Sequence, residues 1–335
     1  MKAARIVNPF ETEVVELDEP QIGDDDLLMR VKAAGICGTD IHILKGEYAL
    51  ARFPMVPGHE FSGEVVAVGK NVTRFKPGDR VTADPNIPCN RCENCQRNEP
   101  NQCQNLQAVG VTRDGAFAEY LSVPEAVTFP IGEMSYQDAA LIEPLACVVW
   151  GLQRVQIQAG DRVLIFGAGP MGALLAQAMA AAGASQVDIT DLVPWRLSVM
   201  GELGVDHAIL SDEFPKQAKA LAPQGYEVVV DCTGVPAVLE QAVTYARPRG
   251  KIWVFGVAPD KAMAKFSPYE IFRKDLSIIG SFAVNRTFHE SIMMIQSGKI
   301  NLRPLVSHQL PLADFEEGLR LAQEDPQRMK VQFVI

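Results

Sequence analysis

The stretch that most restricts how this 335-residue chain can fold is Arg162-Val163-Leu164-Ile165-Phe166, followed by Gly167-Ala168-Gly169-Pro170-Met171-Gly172. A short continuous apolar run suits a strand buried on both faces, as in a parallel sheet. The alanine-rich run Ala173–Ala182 then predicts a helix. Glycines between such a strand and helix fit a dinucleotide fingerprint. Gly167 would allow the tight turn, Gly169 the approach of backbone to a pyrophosphate, and Gly172 the packing of helix on strand. Asp191 stands 19 residues beyond Gly172, at the end of the next predicted strand. There it would accept the adenosine ribose hydroxyls and repel a 2′-phosphate, so NAD is expected over NADP. Arg196 weakens that preference, because it could pair with such a phosphate. Glycines serving only as turns would not need a strand, a helix and an acid in this register.

Alternation continues downstream. Strands are predicted over Gln186–Thr190, Ala208–Leu210, Glu227–Asp231, Lys251–Phe255 and Leu276–Gly280. Helices are predicted near Pro194–Leu203, Glu213–Leu221 and Pro236–Ala246. The pattern indicates an α/β, doubly wound parallel sheet. Residues 1 to about 145 read differently, as strands and turns. Val14–Leu17, Leu27–Ala33, Phe61–Val68 and Arg80–Ala83 are short β-branched runs broken by Gly and Pro. An irregular β-rich barrel is expected there, and the strand-like end Met329–Ile335 is expected to return to it. A length of 335 residues accommodates two domains.

A net charge of −10 without a Lys/Arg block argues against nucleic acid or an anionic membrane as a main partner. The start Met1-Lys2-Ala3-Ala4-Arg5 lacks the apolar run of a signal peptide, and no apolar stretch reaches membrane-spanning length. A cytoplasmic setting is therefore expected, with the seven cysteines as thiols or metal ligands. Four of them, Cys89, Cys92, Cys95 and Cys103, lie on one Pro- and Asn-rich loop. This spacing can wrap one tetrahedral zinc in a closed structural site, where the metal replaces a core. Disulfides fit a reducing compartment poorly, and iron–sulfur motifs usually space their ligands differently.

A second set of donors lies nearby in a chain with only five histidines. Cys37 falls in Gly35-Ile36-Cys37-Gly38-Thr39-Asp40-Ile41-His42, and His59 with Glu60 in Gly58-His59-Glu60. Borderline-soft zinc accepts such a mixture of sulfur, nitrogen and oxygen, and three protein ligands leave a position open for substrate. Each residue alone reads as core or as a solvated face. Glu143 is harder to dismiss, since a carboxylate inside the apolar run Leu141–Ala146 calls for a cation or a metal-bound water. Cys147 is the competing ligand, better read as small-residue packing.

These motifs together resemble the zinc-dependent medium-chain alcohol dehydrogenase family, in the branch of sorbitol and other polyol dehydrogenases, butanediol dehydrogenase and L-threonine 3-dehydrogenase. The likeness covers essentially the whole chain, including Asp114-Gly115-Ala116-Phe117-Ala118-Glu119-Tyr120. It implies a GroES-like catalytic domain over 1–147 with the zinc lobe at about 85–105, a Rossmann NAD-binding domain over 148–284, and a C-terminal segment, 285–335, returning to the first. Cys37, His59, Glu60 and Glu143 would hold the catalytic zinc, or a water on it. Thr39 and His42 would relay the proton. Met171, Asp191 and Arg196 match positions at the pyrophosphate and adenosine ribose, and Phe255, Gly256, Val257, Ser281 and Phe282 match positions near the nicotinamide. Tyr48, Phe117 and Glu143 would face substrate. An Arg-Tyr pair typical of sorbitol dehydrogenases is absent from Gly280–Arg286, which turns attention to other polyols and to Asn285 and Arg286. The implied activity is NAD-dependent oxidation of a secondary hydroxyl by a homodimer or homotetramer holding two zinc ions per chain. Loss of the zinc ligands would instead mark a non-catalytic nucleotide-binding relative.

Overall fold

The computed structural model describes residues 1–335, which divide into two compact units. The first comprises Met1–Ala146, Val284–Ile292 and Val306–Ile335; the second comprises Cys147–Ala283 and Met293–Leu305. The segment expected to return as a whole over 285–335 is therefore interrupted, with Met293–Leu305 belonging to the second unit.

The second unit is built on six parallel strands in the spatial order His207–Leu210, Gln186–Asp191, Arg162–Phe166, Tyr226–Asp231, Ala246–Val254, Ser277–Gly280. The strand order reverses beside Arg162–Phe166, and it is from that strand that the glycine turn departs. Ligands of open α/β sheets bind at this switch point. Helices Pro170–Ala181, Pro194–Glu202, Phe214–Leu221 and Pro236–Tyr245 alternate with the strands. Each carries proline at its first or second position, where a missing N–H costs nothing. Leu164, Phe166, Phe214, Tyr226, Val229 and Ile252 form the core between sheet and helices.

The first unit contains a seven-stranded sheet whose main path is Val306–Pro311, Lys330–Val334, Asp26–Gly35, Glu60–Val68, Arg80–Ala83 and Thr128–Pro130, with Tyr120–Pro124 also paired to Asp26–Gly35. The expected strands Leu27–Ala33, Phe61–Val68 and Arg80–Ala83 fall close to these bounds, and Val14–Leu17 falls on Glu11–Glu16, which pairs with Lys2–Asn8 in a separate two-stranded sheet. The reading of 1–145 as strands and turns alone is corrected: besides the four-residue helices Glu93–Gln96 and Tyr136–Ala139, the range holds two longer ones, Gly38–Leu44 and the start of Ile142–Val155. The first is only seven residues long and starts at a cysteine rather than a serine or threonine, so it gives little helical signal. The second carries Pro144 in its first turn, where proline is tolerated. No helix is long and apolar enough to cross a membrane.

Candidate metal centre and nucleotide site

Strand register assembles the first site. Gly35 pairs with Glu60 on one side and with Gln332 on the other. The chain then leaves the sheet through Ile36, whose N–H donates to Val331 O at 2.9 Å, and enters the helix capped by Cys37. Asp40 ties this turn together. Its Oδ2 accepts the Cys37 N–H at 2.8 Å, its Oδ1 accepts the Gly58 N–H at 3.3 Å, and Oδ1 lies 3.7 Å from His59 Nδ1. Asp40 is fully buried, so one carboxylate ties the backbone of the Cys37 turn to that of the Gly58 loop, which carries His59. Burial raises its pKa, against the pull of His59.

Cys37, His59 and Glu60 each present a ligand atom within 4.8 Å of the others. His59 and Glu60 are buried, and neither His59 Nδ1 nor Glu60 Oε2 has a hydrogen-bond partner. Buried polar atoms of this kind call for a partner, and a thiolate, an imidazole and a carboxylate at this separation fit a zinc ion. Burial alone would lower the pKa of His59, yet the Cys37 sulfur and the Asp40 carboxylate hold it well above the usual range. Glu143 is also buried, in the first turn of Ile142–Val155, and burial pushes it up to about 7 while His59 pulls the other way. It stands outside the close three-residue cluster.

Around this centre, Thr39 Oγ1 lies 3.8 Å from Cys37 Sγ. His42, one turn further along the same helix, is half-buried with Nδ1 2.8 Å from Glu47 Oε2. Tyr48 is half-buried, its phenol raised by burial, with His59 lowering and Cys37 raising it. Phe117 requires a correction. Expected to face substrate, it is fully buried, with its ring 5.1 Å from that of Phe333 and 5.6 Å from that of Phe315. It packs beneath the ligand loop instead: a Cβ on Gly58 (φ +96) would lie 2.6 Å from Phe117 Cδ1. Asp40, Glu47 and Lys330 escaped the sequence reading. Asp40 and Glu47 lie beside recognised residues, but Lys330 is 270 residues from Glu60, and no local signal joins them.

In the lobe, all four sulfurs lie within 4.8 Å of one another. Cys92 Sγ is 3.5 Å from Cys95 Sγ and 3.8 Å from Cys103 Sγ. Disulfide sulfurs stand about 2.05 Å apart. Thiolates 2.3 Å from one tetrahedral centre stand about 3.8 Å apart. The spacing is that of metal ligands. Backbone N–H groups of Cys89 and Asn105 point at Cys103 Sγ (3.3 and 3.4 Å), as expected around anionic sulfur. Hydrogen bonds from the backbone of Arg91 and Cys92 hold the Cys89 thiol down to about 6, while burial among the other sulfurs pushes Cys95 up to about 12.

In the second unit, Gly167 has φ +105 and donates its N–H to Thr190 O at 2.8 Å. A Cβ on Gly172 would fall 1.9 Å from Gly167 O, so helix Pro170–Ala181, with Met171 in its first turn, can sit this close only on glycine. Nothing lies within 4 Å of a Cβ built on Gly169, the N-cap. That open helix N-terminus presents N–H groups to an anion. Asp191 is buried over the turn: Oδ2 accepts the Ala168 N–H at 2.7 Å, Oδ1 the Val193 N–H at 2.8 Å, and Arg196 Nη1 is 3.8 Å from Oδ2. Phe255 and Gly256 both donate backbone N–H to Asp231 O. Ser281 Oγ accepts Trp253 Nε1–H at 2.9 Å, and Val257 and Phe282 are exposed.

Comparison with known proteins agrees with this chemistry. The alcohol dehydrogenase GroES-like domain matches residues 23–133, and the zinc-binding dehydrogenase domain matches residues 170–297. D-altritol 5-dehydrogenase of Agrobacterium fabrum is 38% identical over 99% of both chains. D-arabinitol dehydrogenase 1 of Uromyces fabae is 34% identical over 95% of this chain and 93% of its own. A zinc-binding dehydrogenase of Sinorhizobium meliloti 1021, solved with NADP, aligns with a TM-score of 0.95 at 33% identity, covering 100% of this chain and 99% of that one. The chain belongs to the zinc-dependent medium-chain alcohol dehydrogenase family. It is accordingly a zinc-binding, NAD(P)-dependent oxidoreductase with GroES-like and Rossmann-type parts.

Proposed function

We propose that this enzyme oxidises a secondary hydroxyl of a sugar alcohol to the ketone, using NAD in preference to NADP. The observation that carries the reading is the buried Cys37–His59–Glu60 cluster, with unpartnered nitrogen and oxygen atoms in a dehydrogenase scaffold. Two similar proteins are named for altritol and arabinitol, both sugar alcohols. A zinc ion held there would supply Lewis-acid activation of the carbinol hydroxyl, and a bound nicotinamide would supply the hydride acceptor. Cys37, His59 and Glu60 would hold the metal, with Glu143 beside them as a carboxyl able to accept a hydrogen bond from substrate or water. Thr39 Oγ1 would accept the hydroxyl proton while passing its own, via the nicotinamide ribose, to His42, which lies 2.8 Å from Glu47 and is half-buried. Tyr48 would contact the polyol. In the second unit Gly167, Gly169, Met171 and Gly172 would cradle the pyrophosphate. Asp191 would face the adenosine ribose with Arg196 tied to it, and Phe255, Gly256, Val257, Ser281 and Phe282 would line the nicotinamide end.

The test follows NADH absorbance across polyols, vicinal diols and L-threonine, with either cofactor. A pentitol or hexitol should give the highest kcat/KM. NAD should exceed NADP by more than about tenfold, the ratio supplied by about 1.4 kcal/mol of like-charge repulsion at Asp191. Turnover of threonine alone would overturn the polyol assignment, and an NADP preference the cofactor assignment. His42→Ala should slow turnover about 10- to 100-fold near neutral pH. The defect should shrink in alkali, where hydroxide can take the proton directly; a pH profile parallel to wild type would remove His42 from the relay.

A homo-oligomer and a cytoplasmic location complete the proposal. Ser277–Gly280 is an edge strand of the parallel sheet, and Tyr269, Phe272 and Ile278 on or near it are exposed. An open edge flanked by apolar side chains suits pairing with a second copy.

A further inference from the structure

Behind the metal cluster lies a buried ion pair that the chemistry above does not use. Lys330 begins the strand Lys330–Val334 and is 4% exposed; Glu60 is fully buried. Lys330 Nζ donates to Glu60 Oε1 at 2.7 Å and to Ile36 O at 3.2 Å. Buried ion pairs are often no more stable than apolar packing of the same volume, so fold stability alone does not explain a lysine here. Gly35 completes the clamp: a Cβ there would stand 2.4 Å from Glu60 Oε2 and 3.4 Å from Lys330 Cδ. Side chain and backbone therefore hold the carboxylate, with Oε1 occupied and Oε2 unpartnered.

Charge explains what the clamp does. A dication with one thiolate, one imidazole and one carboxylate is neutral as a set, and a carboxylate free to bind through both oxygens would fill the position substrate needs. Lys330 adds one fixed positive charge and occupies one oxygen. We propose that Lys330 is a positioning residue of the metal centre, which restricts Glu60 to a single available oxygen and so keeps a coordination position open for the alcohol. This rests on the metal-centre reading of Cys37, His59 and Glu60.

Cobalt(II) substitution tests it, because d–d absorption is intense at low coordination number and weak at high. Wild type, Lys330→Met and Lys330→Arg would be loaded with cobalt at the Cys37–His59–Glu60 site alone, zinc being kept in the four-cysteine lobe, and titrated with a polyol. Wild type should show intense bands that shift with the alcohol. K330M should retain cobalt yet show weakened bands and a response to alcohol weaker by about 10- to 100-fold, the usual effect of losing a ligand's outer partner, and K330R should recover most of it. Unchanged bands and alcohol response in K330M would overturn the proposal. Absence of cobalt bands in wild type would instead overturn the metal-centre reading itself. If K330M does not fold, Lys330→Gln, whose shorter neutral side chain removes the charge and draws back from Glu60 Oε1, is read in the same way.

Discussion

Cys37→Ser should abolish turnover, by at least about 10³-fold, while leaving the fold and NADH binding in place. The size of the effect follows from the donor set. Cys37 is the one sulfur among three ligands, and a serine hydroxyl is not an anion near neutral pH, so the exchange removes both charge and soft donor. Lewis-acid activation is worth several kcal/mol of transition-state stabilisation, and each 1.36 kcal/mol is a factor of ten in rate. Serine is nearly isosteric, and Cys37 caps its helix through its backbone N–H, which Asp40 still receives. Metal content should fall from two ions per chain to one, and the NADH dissociation constant should stay within about twofold, because the glycine turn belongs to the other unit. Undiminished turnover with one ion lost would remove Cys37 from the reaction.

The second large effect is expected in the lobe. Cys95→Ser should release one metal ion, open residues 88–106 to protease and lower Tm by roughly 10 °C or more. Structural zinc contributes about 10–16 kcal/mol of apparent binding energy in small zinc domains. This lobe has little to replace it with. Between Cys89 and Cys103 the buried residues are Cys95, Pro100, Asn101 and Cys103, and the helix there, Glu93–Gln96, spans four residues. Most of that energy is recovered locally when the loop opens, so the expected loss in global stability is a fraction of it. Protease resistance and Tm equal to wild type, with the ion gone, would mean the loop folds on its own contacts.

The parts of this protein legible in its sequence are those whose physics is local. The Arg162–Phe166 strand, the turn at Gly167 and the helix after it are contiguous, and the four lobe cysteines lie within one loop, so spacing alone carried their meaning. The alternating strands of the second unit were legible for the same reason: burial on both faces leaves a continuous apolar run. The first unit was harder to read. Within residues 1–146 its helices are two of four residues, a two-turn element capped by cysteine and the start of a helix with proline in its first turn, and none shows a clear helical period.

The types of donor that a zinc site uses, and the fingerprint of a dinucleotide fold, can be read along the chain, since they depend on residue chemistry and short spacings. Tertiary structure alone decided which donors meet and what holds them. The register of Gly35 against Glu60 and Gln332 brings Lys330 onto the Glu60 carboxylate. The same packing turns Phe117 into the core and makes Asp40 the brace between the Cys37 turn and the Gly58 loop. Contacts between residues far apart in the chain arise only when strands pair and side chains compete for buried space, and neither process leaves a mark on local sequence.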